Sequence, residues 1–225
     1  MSAEEVARIE EQAFQRMAPV ISHEIRNPLA VIGNSAYFIK AKLTATGGVD
    51  PKIEKHIGII ESEVKRANET LGEILAFTRM RQPALVTQSL NALVEGVVKT
   101  LALGAVKAAF EKAPGDPQVS VDADLIAKCV AHLLRNAAEA VEKGAVRVRV
   151  EAEGKLCAVE VADSGPGLAA EAEEKLFTPF STTKPRGIGL GLAFVRKAVE
   201  RHNGKVSLKG KPGKGVTARI ELPLA

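Results

Sequence analysis

The sequence predicts a multidomain chain in which a long antiparallel helical hairpin, residues 1–82, is followed by an α/β sandwich, residues 83–225. Two observations predict the hairpin. Apolar residues recur at alternating steps of four and three in two successive stretches, and a glycine-containing turn separates the stretches. A third observation predicts the sandwich: beyond Pro83, short stretches of alternating apolar and polar residues are interspersed with amphipathic helical patterns. A chain of 225 residues is long enough for two domains with separate cores.

Each helix of the hairpin is marked by its own apolar series. The series are Ala18, Ser22, Ile25, Leu29, Ile32, Ala36, Ile39 and Leu43 in a helix over residues 3–43, then Ile53, Ile57, Ile60, Val64, Ala67, Leu71, Ile74 and Thr78 in the next. Residues 44–50 include Gly47-Gly48 and predict the turn, after which Asp50 is the expected N-cap and Pro51 a first-turn proline. Arg81-Gln82-Pro83 is expected to end the second helix, because proline disfavours helix at its own position and at the one before.

The apolar stripe of such a hairpin is too long for the hairpin to bury alone. Helices of roughly 30 to 40 residues extend about 45 to 60 Å at 1.5 Å per residue. Two hairpins that pair across a twofold axis bury both stripes, so we expect a homodimer whose hairpins form a four-helix bundle. The alternative is that the stripe packs on the downstream domain of the same chain.

The elements of the second domain are predicted from alternation and from turn residues. In chain order they are a helix over 124–141, strands over 146–150 and 158–161, a helix over 190–202, and strands over 205–208 and 217–222. Glu153-Gly154 indicates a tight turn between the first two strands, and Asn203-Gly204 indicates the end of the second helix.

Composition excludes several classes of protein. The net charge of +4 is spread among 31 basic and 27 acidic residues without a basic cluster, so no nucleic-acid partner is expected. No run of 18 apolar residues exists, so no transmembrane segment is expected in this chain. Cys129 and Cys157 lie in apolar stretches without metal or redox spacing, which predicts reduced core residues. We therefore expect a cytoplasmic segment, whose parent could be anchored to a membrane upstream.

The segment Ser22-His23-Glu24-Ile25-Arg26-Asn27-Pro28-Leu29 places a histidine beside a carboxylate within the first helix. His23 is one residue beyond a seam position and should point to solvent, as a nucleophilic imidazole requires. Glu24 can accept a hydrogen bond from one ring nitrogen and take up its proton, which leaves the other nitrogen free to attack. Asn27 shares the face of His23, and Pro28 has no N–H to donate to the preceding turn, so a bend is expected there.

Three downstream segments carry groups that suit a nucleotide. In the helix that contains His132-Leu133-Leu134-Arg135-Asn136, the amide oxygen of Asn136 is a hard, neutral ligand of the kind that Mg²⁺ accepts. Lys184 can neutralise phosphate charge. It precedes Gly187-Ile188-Gly189-Leu190-Gly191, which opens a helix whose N–H groups and dipole would face an anion.

The third segment, Asp163-Ser164-Gly165-Pro166-Gly167, follows an apolar strand. A buried carboxylate at the end of a strand must find a hydrogen-bond donor. Gly165 and Gly167 would allow the backbone to approach a ligand closely. An ordinary turn, which this sequence also fits, is the alternative.

Together and in this order, these segments resemble the transmitter core of sensor histidine kinases of two-component systems, over nearly the whole chain. The resemblance implies a dimerisation and phospho-acceptor domain followed by a GHKL-type ATP-binding domain with the Bergerat fold. The His-Glu-Ile-Arg-Asn-Pro sequence and the short lid over residues 181–184 are most similar to kinases of the nitrogen-regulation type.

The resemblance also implies roles. His23, Glu24 and Asn27 are the implied catalytic residues, with Asn27 orienting water for removal of phosphate from the partner. The implied contacts to ATP and Mg²⁺ are His132, Asn136, Asp163, Gly165, Gly167, Lys184, Gly187, Gly189, Gly191 and Thr217. Asn136 is the implied metal ligand, Asp163 the partner of the adenine amino group, and Thr217 the support of Asp163. Three positions depart from the family: His132 stands where relatives often have asparagine, while Glu139 and Ile188 replace a lysine and a threonine.

The implied function is ATP-dependent autophosphorylation of His23, followed by phosphoryl transfer to an aspartate of a response-regulator receiver domain. Phosphatase activity on that regulator is also expected. Two alternatives stay open: a non-catalytic scaffold that binds ATP or a regulator, and an ATPase of the wider GHKL group. Retention of an acid-labile, alkali-stable phosphate on the protein distinguishes the kinase from both.

Overall fold

The computed structural model describes residues 3–45, 50–141, 144–168, 175–182, 184 and 187–225, with side chains described from Met17 onward. Contacts within the chain divide it into two compact units, Met1–Met80 and Arg81–Ala225. The described residues of the first unit form two helices, and those of the second form a mixed array of helices and strands.

The first unit is the predicted helical hairpin. Helix α1 spans Ala3–Ala45 and helix α2 spans Pro51–Thr78. The predicted N-cap is confirmed, because Oδ1 of Asp50 accepts a hydrogen bond from the backbone N–H of Lys52 at 2.7 Å. Helix α2 ends before the segment that was expected to end it, and residues 46–49 of the predicted turn lie outside the described residues.

The single hairpin covers only part of the predicted apolar series. The buried members are Ala18, Ser22 and Ala36 on α1, and Ile57, Leu71 and Thr78 on α2. By contrast, Ile25, Ile32 and Ile39 are 43%, 48% and 50% exposed, and they recur every seven residues. A stripe on one flank of α1 therefore remains uncovered by α2.

The second unit contains one main sheet and one small sheet. Its elements are β1 (Val86–Ser89), α3 (Leu90–Thr100), β2 (Lys107–Glu111), β3 (Gln118–Val121), α4 (Ala123–Ala140), β4 (Ala145–Glu153), β5 (Leu156–Ala162), a 3-10 turn (Lys175–Phe177), α5 (Gly191–Glu200), β6 (Lys205–Gly210) and β7 (Val216–Pro223). The main sheet has the strand order β2-β4-β5-β7-β6, and only the β2–β4 pair is parallel. Both predicted hairpins, β4–β5 and β6–β7, are confirmed.

The two faces of the main sheet differ in polarity. Val146, Val148 and Val150 alternate along β4 on the buried face, where helices α3, α4 and α5 contact the sheet. On the other face, Arg219 lies 2.7 Å from Glu160 and 2.9 Å from Glu221. This arrangement confirms the predicted α/β sandwich. Over the described residues, no helix combines the length and the apolarity that crossing a bilayer requires.

A buried carboxylate, Asp122, fixes the start of α4. It is 3% exposed, and its oxygens accept hydrogen bonds from the N–H groups of Leu125 at 3.2 Å and Ala84 at 3.0 Å. Arg81 pairs with it at 2.9 Å. Its own N–H donates to Nε2 of His202, whose Nδ1 lies 2.7 Å from the carbonyl of Ala198. His202 lies just beyond the end of α5 and ties that end to the start of α4.

Burial alone would raise the pKa of the Asp122 carboxyl, but the hydrogen bonds from Ala84 and Leu125 and the charge of Arg81 hold that pKa below its ordinary value. Because the pKa is lower in the folded state, the ionised carboxylate stabilises the fold fully at pH values above the unfolded-state pKa. This stabilisation is lost as the pH falls through the folded-state pKa.

We predict that Asp122→Ala lowers the free energy of unfolding of this unit by about 3 kcal/mol, because it removes a cap and leaves buried donors unpaired. Native-state hydrogen exchange of the α4 amides measures the loss. The control is Asp124→Ala, which changes an exposed carboxylate in the first turn of the same helix and is expected to lower stability by less than about 1 kcal/mol. Equal effects in the two variants would contradict the assignment.

Candidate functional site

His23 and Glu24 lie together on the exposed side of α1. Their side chains are 71% and 74% exposed, and Nδ1 of His23 is 3.8 Å from Oε1 of Glu24. That distance is longer than a hydrogen bond, so the expected bond is not formed in this conformation, although the carboxylate faces Nδ1. Because Glu24 lies on the Nδ1 side of the ring, Nε2 is the nitrogen open to an incoming electrophile.

Helix α1 continues through two prolines, Pro19 and Pro28, which flank His23 on either side. A proline has no N–H, so Pro28 leaves the carbonyl of Glu24 without its usual helical donor. Pro28 was predicted from the sequence, whereas Pro19 was not, although the same apolar pattern places it inside the helix. Asn27 is exposed, four residues beyond His23.

The nucleotide-binding candidates on α4 meet the lid lysine. Nζ of Lys184 donates a hydrogen bond to Oδ1 of Asn136 at 2.8 Å and a second to Oε2 of Glu139. The two acceptors are three residues apart and share one face of the helix. The structure therefore brings together Lys184 and Asn136, which the sequence assigned to the same ligand, and adds Glu139.

His132, one turn before Asn136, packs against Gly191 and Phe194 of α5. Its ring centroid is 5.3 Å from that of Phe194, and a Cβ added to Gly191 would lie 3.2 Å from its Nδ1. Burial, assisted by the nearby charges of Arg135 and Lys128, lowers the pKa of His132 to about 4. The imidazole is consequently neutral at physiological pH and can act as an acceptor or a metal ligand.

Asp163 directly follows β5, where the sequence placed it. Its Oδ1 accepts hydrogen bonds from the backbone N–H of Gly165 at 2.8 Å and of Val216 at 3.2 Å. The expected support from the hydroxyl of Thr217 is not among these bonds, although Thr217 is paired with Ala162 beside it. Backbone donors hold Oδ1 and orient the carboxylate, so Oδ2 is the oxygen available to a ligand.

Two glycines make this part of the chain possible. A Cβ on Gly167 (φ +79°) would lie 1.9 Å from the carbonyl oxygen of Lys211, and one on Gly215 (φ +73°) would lie 1.9 Å from that of Asp163. Any other residue would push the Asp163 turn away from the β6–β7 connection. Gly167 was predicted as a site residue. Gly215 was not, because its approach to Asp163 is visible only in the folded turn.

The glycines at 187, 189 and 191 lead into α5, as predicted. The carbonyl of Gly189 (φ +71°) accepts a hydrogen bond from Phe180 at 3.0 Å, and the N–H of Gly187 donates to the carbonyl of Lys184 at 3.2 Å. No side chain caps α5 at Leu190. The first N–H groups of α5 are thus not claimed by a side-chain cap and are suited to an anion.

The donor set fits both implied ligands. The ammonium of Lys184 shows that a cation can lie between Asn136 and Glu139, and both are hard oxygen donors of the kind Mg²⁺ accepts. The oriented carboxylate of Asp163 and the helix N-terminus at Gly191 suit an amino group and a phosphate chain, respectively.

Comparison with known families matches both units in the predicted order. Residues 15–83 match the family described as "His Kinase A (phospho-acceptor) domain", and residues 121–225 match "Histidine kinase-, DNA gyrase B-, and HSP90-like ATPase". The solved catalytic domain of histidine kinase ThkA is 31% identical over 62% of this chain and 95% of that one, with a TM-score of 0.55. The chain belongs to the sensor histidine kinases. This confirms the family predicted from the motifs.

Curated histidine kinases extend the similarity along the chain. Sensor histidine kinase ZraS of Escherichia coli (strain K12) is 31% identical over 94% of this chain and 46% of its own length. Sensory histidine kinase/phosphatase NtrB of Rhodobacter capsulatus is 30% identical over 93% of this chain and 62% of its own length. The similarity to nitrogen regulation protein NtrY of Azorhizobium caulinodans, 31% identical over 93% of this chain and 29% of its own length, supports the nitrogen-regulation type. The chain spans less than half the length of ZraS.

We predict that the imidazole of His132 titrates with a midpoint near pH 4 in the folded kinase. Its ordinary value is about 6.5, so between these values the unfolded chain binds more protons, and stability falls as the pH drops from about 6.5 to about 4. NMR titration of the ring carbon measures the midpoint, and His132→Asn should remove this part of the pH dependence. A midpoint near 6.5 would show that the ring is not buried as described.

Proposed function

We propose that this chain is an ATP-dependent histidine autokinase that phosphorylates His23 and passes the phosphoryl group to an aspartate of a response regulator. The observation that carries the proposal is the exposed imidazole of His23, with Glu24 facing its Nδ1, in a chain whose residues 121–225 match the histidine kinase-, DNA gyrase B- and HSP90-like ATPase family. Membership of the family supports the same chemistry. ATP consumption and two buried free cysteines favour a cytoplasmic location.

In the first step, Nε2 of His23 attacks the γ-phosphorus of ATP. The N–P bond forms as the bond from that phosphorus to the bridging oxygen breaks, and ADP leaves with the electron pair. Glu24 takes the proton from Nδ1 and so prevents a build-up of positive charge on the ring. At 3.8 Å, a small rotation of either exposed side chain brings the carboxylate within hydrogen-bonding distance.

The nucleotide is held by groups that the second unit keeps in place. Oδ2 of Asp163 accepts a hydrogen bond from the adenine amino group, while Gly165 and Gly167 let the base approach the backbone. The triphosphate lies against the glycines at 187, 189 and 191 and the start of α5, with His132 and Lys184 beside it. Mg²⁺, held by Asn136, would neutralise charge that develops on the phosphates.

In the second step, a carboxylate oxygen of the regulator attacks the phosphorus on His23, and the N–P bond breaks with its electron pair going to Nε2. Glu24 returns the proton to Nδ1, so the ring leaves as neutral imidazole. Asn27, on the same face as His23, orients the water that hydrolyses the phosphorylated regulator, and this reaction ends the signal. The relative NtrB of Rhodobacter capsulatus is a sensory histidine kinase/phosphatase. Histidine kinase ThkA, 29% identical with a TM-score of 0.67 over 98% of this chain, has been solved in complex with response regulator protein TrrA.

The uncovered stripe on α1 supports a homodimer. Ile25, Ile32 and Ile39 are about half exposed in one chain and repeat every seven residues, which is the spacing of a bundle seam. Ile53 and Ile60 continue the exposed apolar surface on α2. A second copy related by a twofold axis presents the same surface and completes a four-helix bundle.

We predict that Ile32→Asp weakens the dimer by at least about a hundredfold, because an unpaired carboxylate in the seam costs about 3 kcal/mol or more. Val31→Asp is the matched control: Val31 is 65% exposed but lies on the face of Asn27, away from the seam. Sedimentation equilibrium measures both. Equal dissociation of the two variants, or a monomeric wild type, would contradict the seam.

We predict that His23→Ala abolishes retention of the γ-phosphate of ATP as an acid-labile, alkali-stable label, while nucleotide affinity stays within about twofold. The nucleophile and the nucleotide-binding residues belong to different units, which is why the two properties separate. His56→Ala, at an exposed position of α2, is the control and should retain the label.

Asp163→Asn is the complementary variant in the same assay, because it changes the nucleotide site and keeps the nucleophile. It should lose label because nucleotide binding weakens by about ten- to a hundredfold, the effect of removing a charge-assisted hydrogen bond of roughly 1.5–3 kcal/mol. Label that persists in His23→Ala, or that becomes alkali-labile, would overturn the assignment of the phospho-acceptor. An unchanged affinity in Asp163→Asn would overturn the adenine contact.

A further inference from the structure

One cation position near the nucleotide site is already defined by the chain itself. The ammonium of Lys184 makes hydrogen bonds to the amide oxygen of Asn136 and the carboxylate of Glu139 together. We call this pair of oxygens the cation seat. An ordinary surface ion pair has one acceptor and contributes little to stability, whereas here two oxygens from successive turns of α4 converge on one point.

The chemistry of the seat suits a divalent metal ion better than it suits an ammonium. A carboxylate and an amide oxygen are hard donors, and Mg²⁺ and Mn²⁺ are bound by one or two such groups with water and phosphate completing the shell. The ammonium offers a single charge and must order a long side chain to reach the seat. Two cations cannot share the seat because they would be in contact with each other.

We propose that Glu139 is a second protein ligand of the divalent cation, beside Asn136, and that Lys184 fills this cation seat until the metal displaces it. The displaced ammonium is then available to the phosphates, so loading of the metal and engagement of the lid lysine become one event. The proposal rests on the proposed function for the identity of the phosphates. The competition for the seat does not depend on it.

The proposal predicts effects of opposite sign from two residues that touch each other. Glu139→Gln removes the charged ligand and should weaken binding of Mn²⁺ by about tenfold. Lys184→Met removes the competitor and should strengthen binding of Mn²⁺ by several fold. If Lys184 only neutralised phosphate, its removal would leave Mn²⁺ binding without nucleotide unchanged.

Electron paramagnetic resonance of free Mn²⁺, titrated into the nucleotide-free chain, measures both effects. Glu95→Gln is the control for lost negative charge. Glu95 lies on α3 and pairs with Lys112 at 2.9 Å and with Lys99 at 3.0 Å. Arg135→Met is the control for lost positive charge, since the exposed Arg135 adjoins Asn136 in sequence. Neither control should change the dissociation constant by more than about twofold.

A second measurement follows Lys184 directly. Acetylation of lysine amines, quantified by mass spectrometry, should be slow at Lys184 in the wild type and several fold faster in Glu139→Gln or with saturating Mn²⁺. Lys112 in the same sample is the internal reference and should respond only to Glu95→Gln.

The proposal is overturned if Lys184→Met binds Mn²⁺ no better than Arg135→Met, or if Glu139→Gln behaves like Glu95→Gln. It is also overturned if Mn²⁺ leaves the reactivity of Lys184 unchanged, or if no variant binds Mn²⁺. None of these measurements uses ATP or scores phosphorylation. Failure of the cation seat is thus distinguishable from failure of the kinase assignment, which the label on His23 tests.

Discussion

The second unit depends on one buried charge. Asp122 follows β3 and is the N-cap of α4, and its carboxylate is satisfied by groups from the segment before the unit's first strand and from the first turn of α4. Its own N–H reaches His202 at the end of α5. A charge in this position is tolerated only because every partner is present. The start of α4, the end of α5 and the entry segment are consequently fixed against each other before any ligand arrives.

This constraint matters for chemistry because His132 and Asn136 lie on α4 and Gly191 begins α5, and all three are proposed to contact the nucleotide or its metal ion. Asn136 lies on the far part of α4, and the open N-terminus of α5 begins at Gly191, against His132. Fixing the opposite ends of both helices restricts how far Asn136 and Gly191 can separate. Preorganised donors need no rearrangement when charge develops, so the polar contacts around Asp122 would favour the phosphoryl transfer proposed for this chain.

Much of this arrangement was predictable from local sequence. Heptad spacing predicted α1 and α2, alternation predicted the β4–β5 and β6–β7 hairpins, and Asp50 was found as an N-cap, because each depends on residues a few positions apart. The small β1–β3 sheet was not resolved from sequence, since strands of four residues contain too few alternations.

The misses in the site have a common cause. The partner of Lys184 is 45 residues away at Glu139, and Gly215 is set by its approach to Asp163, 52 residues earlier in the chain. The bond from Val216 to Asp163 likewise arises from the sheet register, whereas sequence reasoning had assigned that support to Thr217. Spacing along the chain identifies residue types that can serve a ligand, but the tertiary fold decides which of them meet.

The two prolines of α1 have a geometric consequence. Pro19 and Pro28 are nine residues apart, and at about 100° per residue they lie about 180° apart around the helix axis. A proline bends a helix away from its own side, so bends at these two positions would be directed oppositely and their angles would subtract. The helix axis can thereby be displaced sideways between the prolines while the parts on either side stay parallel. His23 lies between the two prolines. A sideways displacement of that stretch would therefore move His23 while the helical turns on either side stay parallel.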